Sequence, residues 1–126
     1  MTQEDRELLL KDLCTRIPYE VKVQVFNYGV ESVETLYQID LDGYISTVEG
    51  DELKYSYKPY LFPLSSMTEE QKREFDISMD MGYAAAYNAE INCANRMIDF
   101  FHKNHLDYRG LIERGLALDA TGLNIY

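Results

Sequence analysis

Two histidines, His102 and His105, stand three residues apart after Asp99, with Asp107 close behind. A spacing of three brings successive side chains toward one helix face, so Asp99, His102 and His105 could ligate a metal. The simpler reading is a polar helix end whose imidazoles meet the negative pole of the helix dipole. On that reading the chain carries no structural metal and no cofactor. A catalytic base also needs a nucleophile or a second polarised group, and no Ser or Cys motif accompanies these histidines. Hydrolase chemistry is therefore unsupported. With 22 Asp and Glu residues, chance carboxylate pairs are abundant and give no argument for glycosidase-type acid–base work. Gly110-Leu111-Ile112-Glu113-Arg114-Gly115 lacks the Lys-Ser or Lys-Thr with which a phosphate loop holds phosphate and magnesium. Arg109, just before this stretch, and Arg114 within it could still grip an anion. With His102 and His105 they form one candidate ligand-binding set, around a pocket near the C-terminal helix.

The second candidate is a surface. From Lys22 to Lys54 the chain has no intervening Lys or Arg but seven acids: Glu31, Glu34, Asp40, Asp42, Glu49, Asp51 and Glu52. Of these Asp40, Asp42, Glu49, Asp51 and Glu52 are the candidate partner-binding residues. The competing reading is a solvated face that keeps a sheet edge from pairing with other chains. Seven of the 11 tyrosines fall between Tyr19 and Tyr60. A rigid ring with a polar tip suits both half-buried sheets and protein interfaces.

The net charge of −10 opposes direct binding to nucleic-acid phosphates or to an anionic membrane surface. A basic or neutral protein is the easier partner. No run of eighteen apolar residues occurs, and Met1-Thr2-Gln3-Glu4-Asp5 is acidic where a signal peptide would be basic, so a cytoplasmic location is expected. Apolar residues at 46% and charged residues at 27% fit a single globular domain over 1–126 that needs no disulfide or metal staple. Cys14 and Cys93 each sit within an apolar helical pattern and read as reduced, buried thiols.

These candidates must be positioned by secondary structure. A first helix is expected from Thr2 to Ile17, capped by Thr2, with Leu10, Leu13, Cys14 and Ile17 as its apolar stripe and Pro18 as its stop. Val21, Val23 and Val25 alternate with polar residues. Val33, Thr35, Tyr37, Ile39 and Leu41 do the same, which places them on the core face and Gln38, Asp40 and Asp42 on the other. Asp42-Gly43 suggests a two-residue hairpin turn leading into a strand at 44–49, and 52–58 reads as a fourth strand ending before Pro59. Lys58 to Leu64 then reads as an extended crossover. Two overlapping capping boxes, Ser66 with Glu69 and Thr68 with Gln71, start a helix that is expected to break near Gly82. Tyr87, Ile91, Ala94, Ile98 and Phe101 form the stripe of a following helix from Tyr83 to about His102, widened by Cys93, Met97 and Phe100. Asp107 is expected to cap a short helix from Tyr108 to Arg114 that closes at Gly115, with Leu116, Ala117, Leu118 and Leu123 docked behind it.

Three stretches carry a resemblance: residues 8–19 (LLLKDLCTRIPY), 58–71 (KPYLFPLSSMTEEQ) and 105–118, where HLDYRGLI runs into GLAL. They resemble a family of short, uncharacterised proteins of Bacteroidales bacteria and their phages or mobile elements. The match covers about a third of the chain. It implies a shared fold and a genomic setting, and it assigns no catalytic residue.

The reading is an α+β fold: an N-terminal helix, a three- or four-stranded antiparallel meander, then two or three helices packed on the sheet. The expected function is non-enzymatic protein binding through an acidic, tyrosine-bearing sheet surface, as an accessory protein of a phage or mobile element. The alternative is a small enzyme or small-ligand binder built on Arg109, Arg114, His102 and His105.

Overall fold

The computed structural model describes residues 2–27, 29–54, 57–84 and 89–126. Helix α1 spans Gln3–Arg16 and opens on a reciprocal capping box in which the Asp5 N–H donates to Thr2 Oγ1 and the Thr2 N–H to Asp5 Oδ2. Its buried positions are Leu9, Asp12, Leu13 and Arg16, while Cys14 is exposed. The expected stripe is thus rotated. Asp12 and Arg16, four apart, form an ion pair that occupies the inner face, and a purely apolar period cannot register it. A 3₁₀ turn at Ile17–Tyr19 follows, with Pro18 in its first turn.

Among the described residues seven strands follow: β1 (Lys22–Asn27), β2 (Val30–Ile39), β3 (Tyr44–Thr47), β4 (Glu52–Lys54), β5 (Tyr57–Pro63), and, late in the chain, β6 (Leu106–Asp107) and β7 (Leu118–Asp119). Their order is β4-β3-β2-β1-β5-β6, with β7 also paired to β5. The first four strands are the expected antiparallel meander. The stretch read as one fourth strand holds both β4 and the start of β5, and Tyr55 and Ser56 lie outside the described residues. β5 returns to the far side of the meander, antiparallel to β1, and runs through Pro59 to Pro63 where a crossover was expected. Proline removes one ladder donor, but its fixed φ is compatible with an extended strand.

The alternation in β2 is not continuous. A register shift lies between Leu36 and Gln38. Upstream of it Glu34 and Leu36 face the core at 5% and 2% exposure; downstream Ile39 pairs with the buried Ile45. The expected inward set fails at Val33, Tyr37 and Leu41, which are 43%, 64% and 90% exposed. One extra residue in a strand reverses the faces on either side of it, so a single phase cannot describe the whole segment. The β2–β3 connection is also longer than the two-residue turn expected from Asp42-Gly43. The Asp40 N–H donates to the Tyr44 carbonyl and the Gly43 N–H to that of Asp40, enclosing a three-residue loop.

Helix α2 (Glu69–Ala84) starts on the second of the two capping boxes: the Gln71 N–H donates to Thr68 Oγ1 and the Thr68 N–H to Gln71 Oε1. Ser66 donates instead to the Pro63 carbonyl. α2 runs through Gly82 and ends two residues on, at Ala84, close to the expected break. A Cβ there would lie 2.8 Å from Cys93 Sγ and 3.3 Å from the Cys93 backbone, so glycine permits close approach to helix α3 (Ala89–Lys103). The two helices are antiparallel, with Gln71 reaching Asn104 and Phe75 packing on Phe100 and Phe101. In α3, Cys93 and Phe100 are buried, whereas Ile91 is 60% exposed. The inner stripe is therefore the widening set, and Tyr87 lies outside the described residues.

The main core joins Leu9 and Leu13 of α1 to Val21, Val23, Val25, Leu36, Ile45, Tyr57 and Leu61 of the sheet region and to Leu111, Leu116 and Ala117. Among the described residues, no α2 or α3 side chain belongs to it. The helix expected at 108–114 is a run of turns, because Gly110 at φ +73° lies in its path. Asp107 still caps that run, accepting from the Leu111 and Ile112 N–H groups. Behind it the chain docks as expected through Leu116 and Ala117, although Leu123 is half exposed. The architecture is α+β: an N-terminal helix, an antiparallel meander extended by two short parallel strands, and two helices. No helix of the described residues is long and apolar enough to cross a membrane.

Candidate functional site

The four residues of the candidate ligand set do not converge. Arg114 faces Asp5 at 3.6 Å with half of its side chain exposed. His105, at φ +56°, stacks on Tyr126 with ring centroids 3.7 Å apart. Only His102 and Arg109 meet, and they do so through Tyr108: its hydroxyl lies 2.8 Å from His102 Nε2 and accepts from Arg109 Nη2 at 3.3 Å. Asp99 is exposed, and no group of three or more His, Cys, Asp or Glu among the described residues is placed to hold a metal ion.

What the fold builds here is a buried polar network. The Asp12 carboxylate accepts from Arg16 Nε at 2.7 Å and from Arg109 Nε at 3.1 Å, and Arg16 Nη2 donates to the Leu106 carbonyl at 2.7 Å. Asp12 and Arg16 are fully buried. Both guanidinium groups lie over the Tyr108 ring, 5.3 and 5.0 Å from its centroid. The network ties α1, α3, β6 and the turn after it together, which is a structural role. Sequence reasoning missed its centre, although the i, i+4 spacing of Asp12 and Arg16 was visible.

Both imidazoles are held neutral. Burial, followed by the Arg16 guanidinium, lowers the pKa of His102. The same causes, with Lys22 added, lower that of His105 from 6.5 to about 4. The unfolded chain therefore binds more protons than the native one between about pH 4 and 6.5. The native state is expected to keep its full histidine contribution above the unfolded value and to lose it progressively as pH falls through that window. Urea titrations at pH 7 and pH 5 check this: the loss should shrink in His105→Gln, and an identical loss in that variant and the parent would refute it.

The acidic candidates divide by role. The Asp40 carboxylate accepts from the Asp42 and Tyr44 N–H groups and so shapes the β2–β3 loop. Glu49 accepts from the Thr35 N–H. Asp51 is partly buried and donates its N–H to Thr47 Oγ1 in the β3–β4 turn. Asp42 and Glu52 are exposed. Beside them lies a feature missed by the single-phase reading of β2. The register pairs Gln24 with Val33 and Phe26 with Glu31 on the face opposite the core, and Phe26 and Tyr37 are 61% and 64% exposed. Toward β5 this outer face is covered by Tyr126, whose hydroxyl donates to the Tyr60 carbonyl and accepts from the Lys22 N–H, its ring packing on Phe62. Burial raises the Tyr126 pKa, so the phenol stays protonated and able to donate. Toward β2 and β3 the face is open. No protein-family model, curated protein or solved structure matches this chain.

Proposed function

We propose that this chain is a non-enzymatic binding protein that presents the open part of its outer sheet face to a protein partner with a basic rim. One observation carries the reading: Phe26, Val33 and Tyr37 stand uncovered on that face at 61%, 43% and 64% exposure, with Glu31 opposite Phe26 in the register and the exposed Glu52 opposite Ser46. Uncovered aromatic and branched side chains rimmed by charge are the composition of a contact surface. A net charge of −10 steers a basic protein toward it and disfavours nucleic acid. The resemblance of residues 8–19, 58–71 and 105–118 to short proteins of Bacteroidales bacteria, phages and mobile elements supports an accessory role in such a setting, in the cytoplasm.

The test places a photo-crosslinking amino acid at position 37, or at the exposed Glu70 of α2 as control, in the protein expressed in its host cell. A discrete adduct is expected from position 37, absent from position 70 and lost when Phe26→Ser is added. Adducts that do not depend on position would end this reading.

A further inference from the structure

A groove of about 500 Å³ runs along one side of the α2–α3 pair and ends against Tyr19, with no strand residue among the described residues that line it. Its floor is the buried Phe100, and its α2 wall holds Ile77 and Met81, which are 60% and 54% exposed. That volume suits a small ligand, and the lining gives such a ligand apolar contact. The charges lining it are unevenly placed. The contacts of Gln71 with Asn104 and of Phe75 with Phe100 set the helix register. In that register Arg96 stands about five residues beyond Glu74, roughly 7 Å along the groove at the α-helical rise. Asp99 lies between them, and Lys103 sits at the Tyr19 end beside Glu74, balancing one of the two acids. One end is therefore net negative and the other is the Arg96 guanidinium. Among the described residues, neither Arg96, Glu74 nor Asp99 closes an ion pair.

We propose that this groove binds a short apolar peptide as its zwitterion, carboxylate on Arg96, ammonium between Glu74 and Asp99, and side chains over Ile77, Met81 and Phe100. The length fits: two extended residues span about 7 Å. Arginine suits the carboxylate end because its planar fork can donate two parallel hydrogen bonds.

The probe is the dipeptide Leu-Leu, titrated into the whole protein by calorimetry, with N-acetyl-Leu-Leu and Leu-Leu amide as blocked forms. Saturable one-to-one binding is expected, weakened about tenfold or more by blocking either terminus, the loss of one charge-assisted contact. Arg96→Gln should remove the preference for Leu-Leu over its amide while keeping the preference over the acetylated form. Lys11→Gln, on the exposed side of α1, should change nothing. Methyl NMR shifts of Ile77 and Met81 report occupancy of the groove. No saturable binding, or binding by Arg96→Gln that still prefers the free carboxylate, would overturn the proposal.

Discussion

Asp12→Ala is expected to destabilise the protein by about 3–5 kcal/mol, the range for breaking a buried ion pair from one side. The cost falls on Arg16. Its side chain is fully buried, and without Asp12 its remaining fixed acceptor is the Leu106 carbonyl at 2.7 Å. Arg109 adds less, because its side chain is 22% exposed and can turn toward water. A double variant, Asp12→Leu with Arg16→Met, removes both charges and keeps apolar volume, so it should recover most of the loss. Equilibrium urea unfolding of the parent and both variants at pH 7 decides the matter. A shift below about 1 kcal/mol in Asp12→Ala would place that pair in the weak class of surface salt bridges.

Phe100→Ala is expected to cost about 3–5 kcal/mol locally, and Ile91→Ala within about 0.5 kcal/mol of nothing. Phe100 is buried and packs edge-on against Phe75 at 5.4 Å, whereas Ile91 is mostly in water. Since α2 and α3 give the main core no side chain among the described residues, the damage should stay within them. Amide exchange should accelerate across Glu69–Ala84 and Ala89–Lys103 while Val23, Val25 and Leu61 keep their protection. Equal acceleration in the sheet would show that the helical pair and the sheet unfold as one unit.

The contrast between Phe100 and Ile91 marks how far sequence reading reached. Periodicity located the helices and the meander because each element repeats a hydrophobic period over several residues. It assigned the wrong face wherever a local event shifted the phase. In α1 the inner face holds a charge pair, in β2 an extra residue inverts the upstream half, and in α3 the outer stripe is as apolar as the inner one. Gly82 was legible as a sign that the helix ends nearby, but not as the point where the Cys93 backbone needs its empty volume. The ligand set failed for another reason: spacing in sequence says nothing about a left-handed residue such as His105, whose ring stacks on Tyr126 while that of His102 meets Tyr108. The acidic stretch was legible as composition, but its division into turn-forming carboxylates and free ones depends on hydrogen bonds that only the fold creates.

Strand β5 takes its partners from β1, β6 and β7, and the side chain that covers its outer face, Tyr126, bonds to Lys22 across a sequence separation of 104 residues. Contacts so distant raise contact order and slow folding, because loop-closure entropy is lost before the pairing returns anything. On the ribosome β5 emerges with only the meander to pair with, and part of its hydrogen-bonding capacity waits until β6 and β7 have left the exit tunnel. During that interval the nascent chain is an incomplete sheet. The acid-rich stretch between Lys22 and Lys54 is already outside by then, and its negative charge disfavours pairing of such an incomplete sheet with another chain.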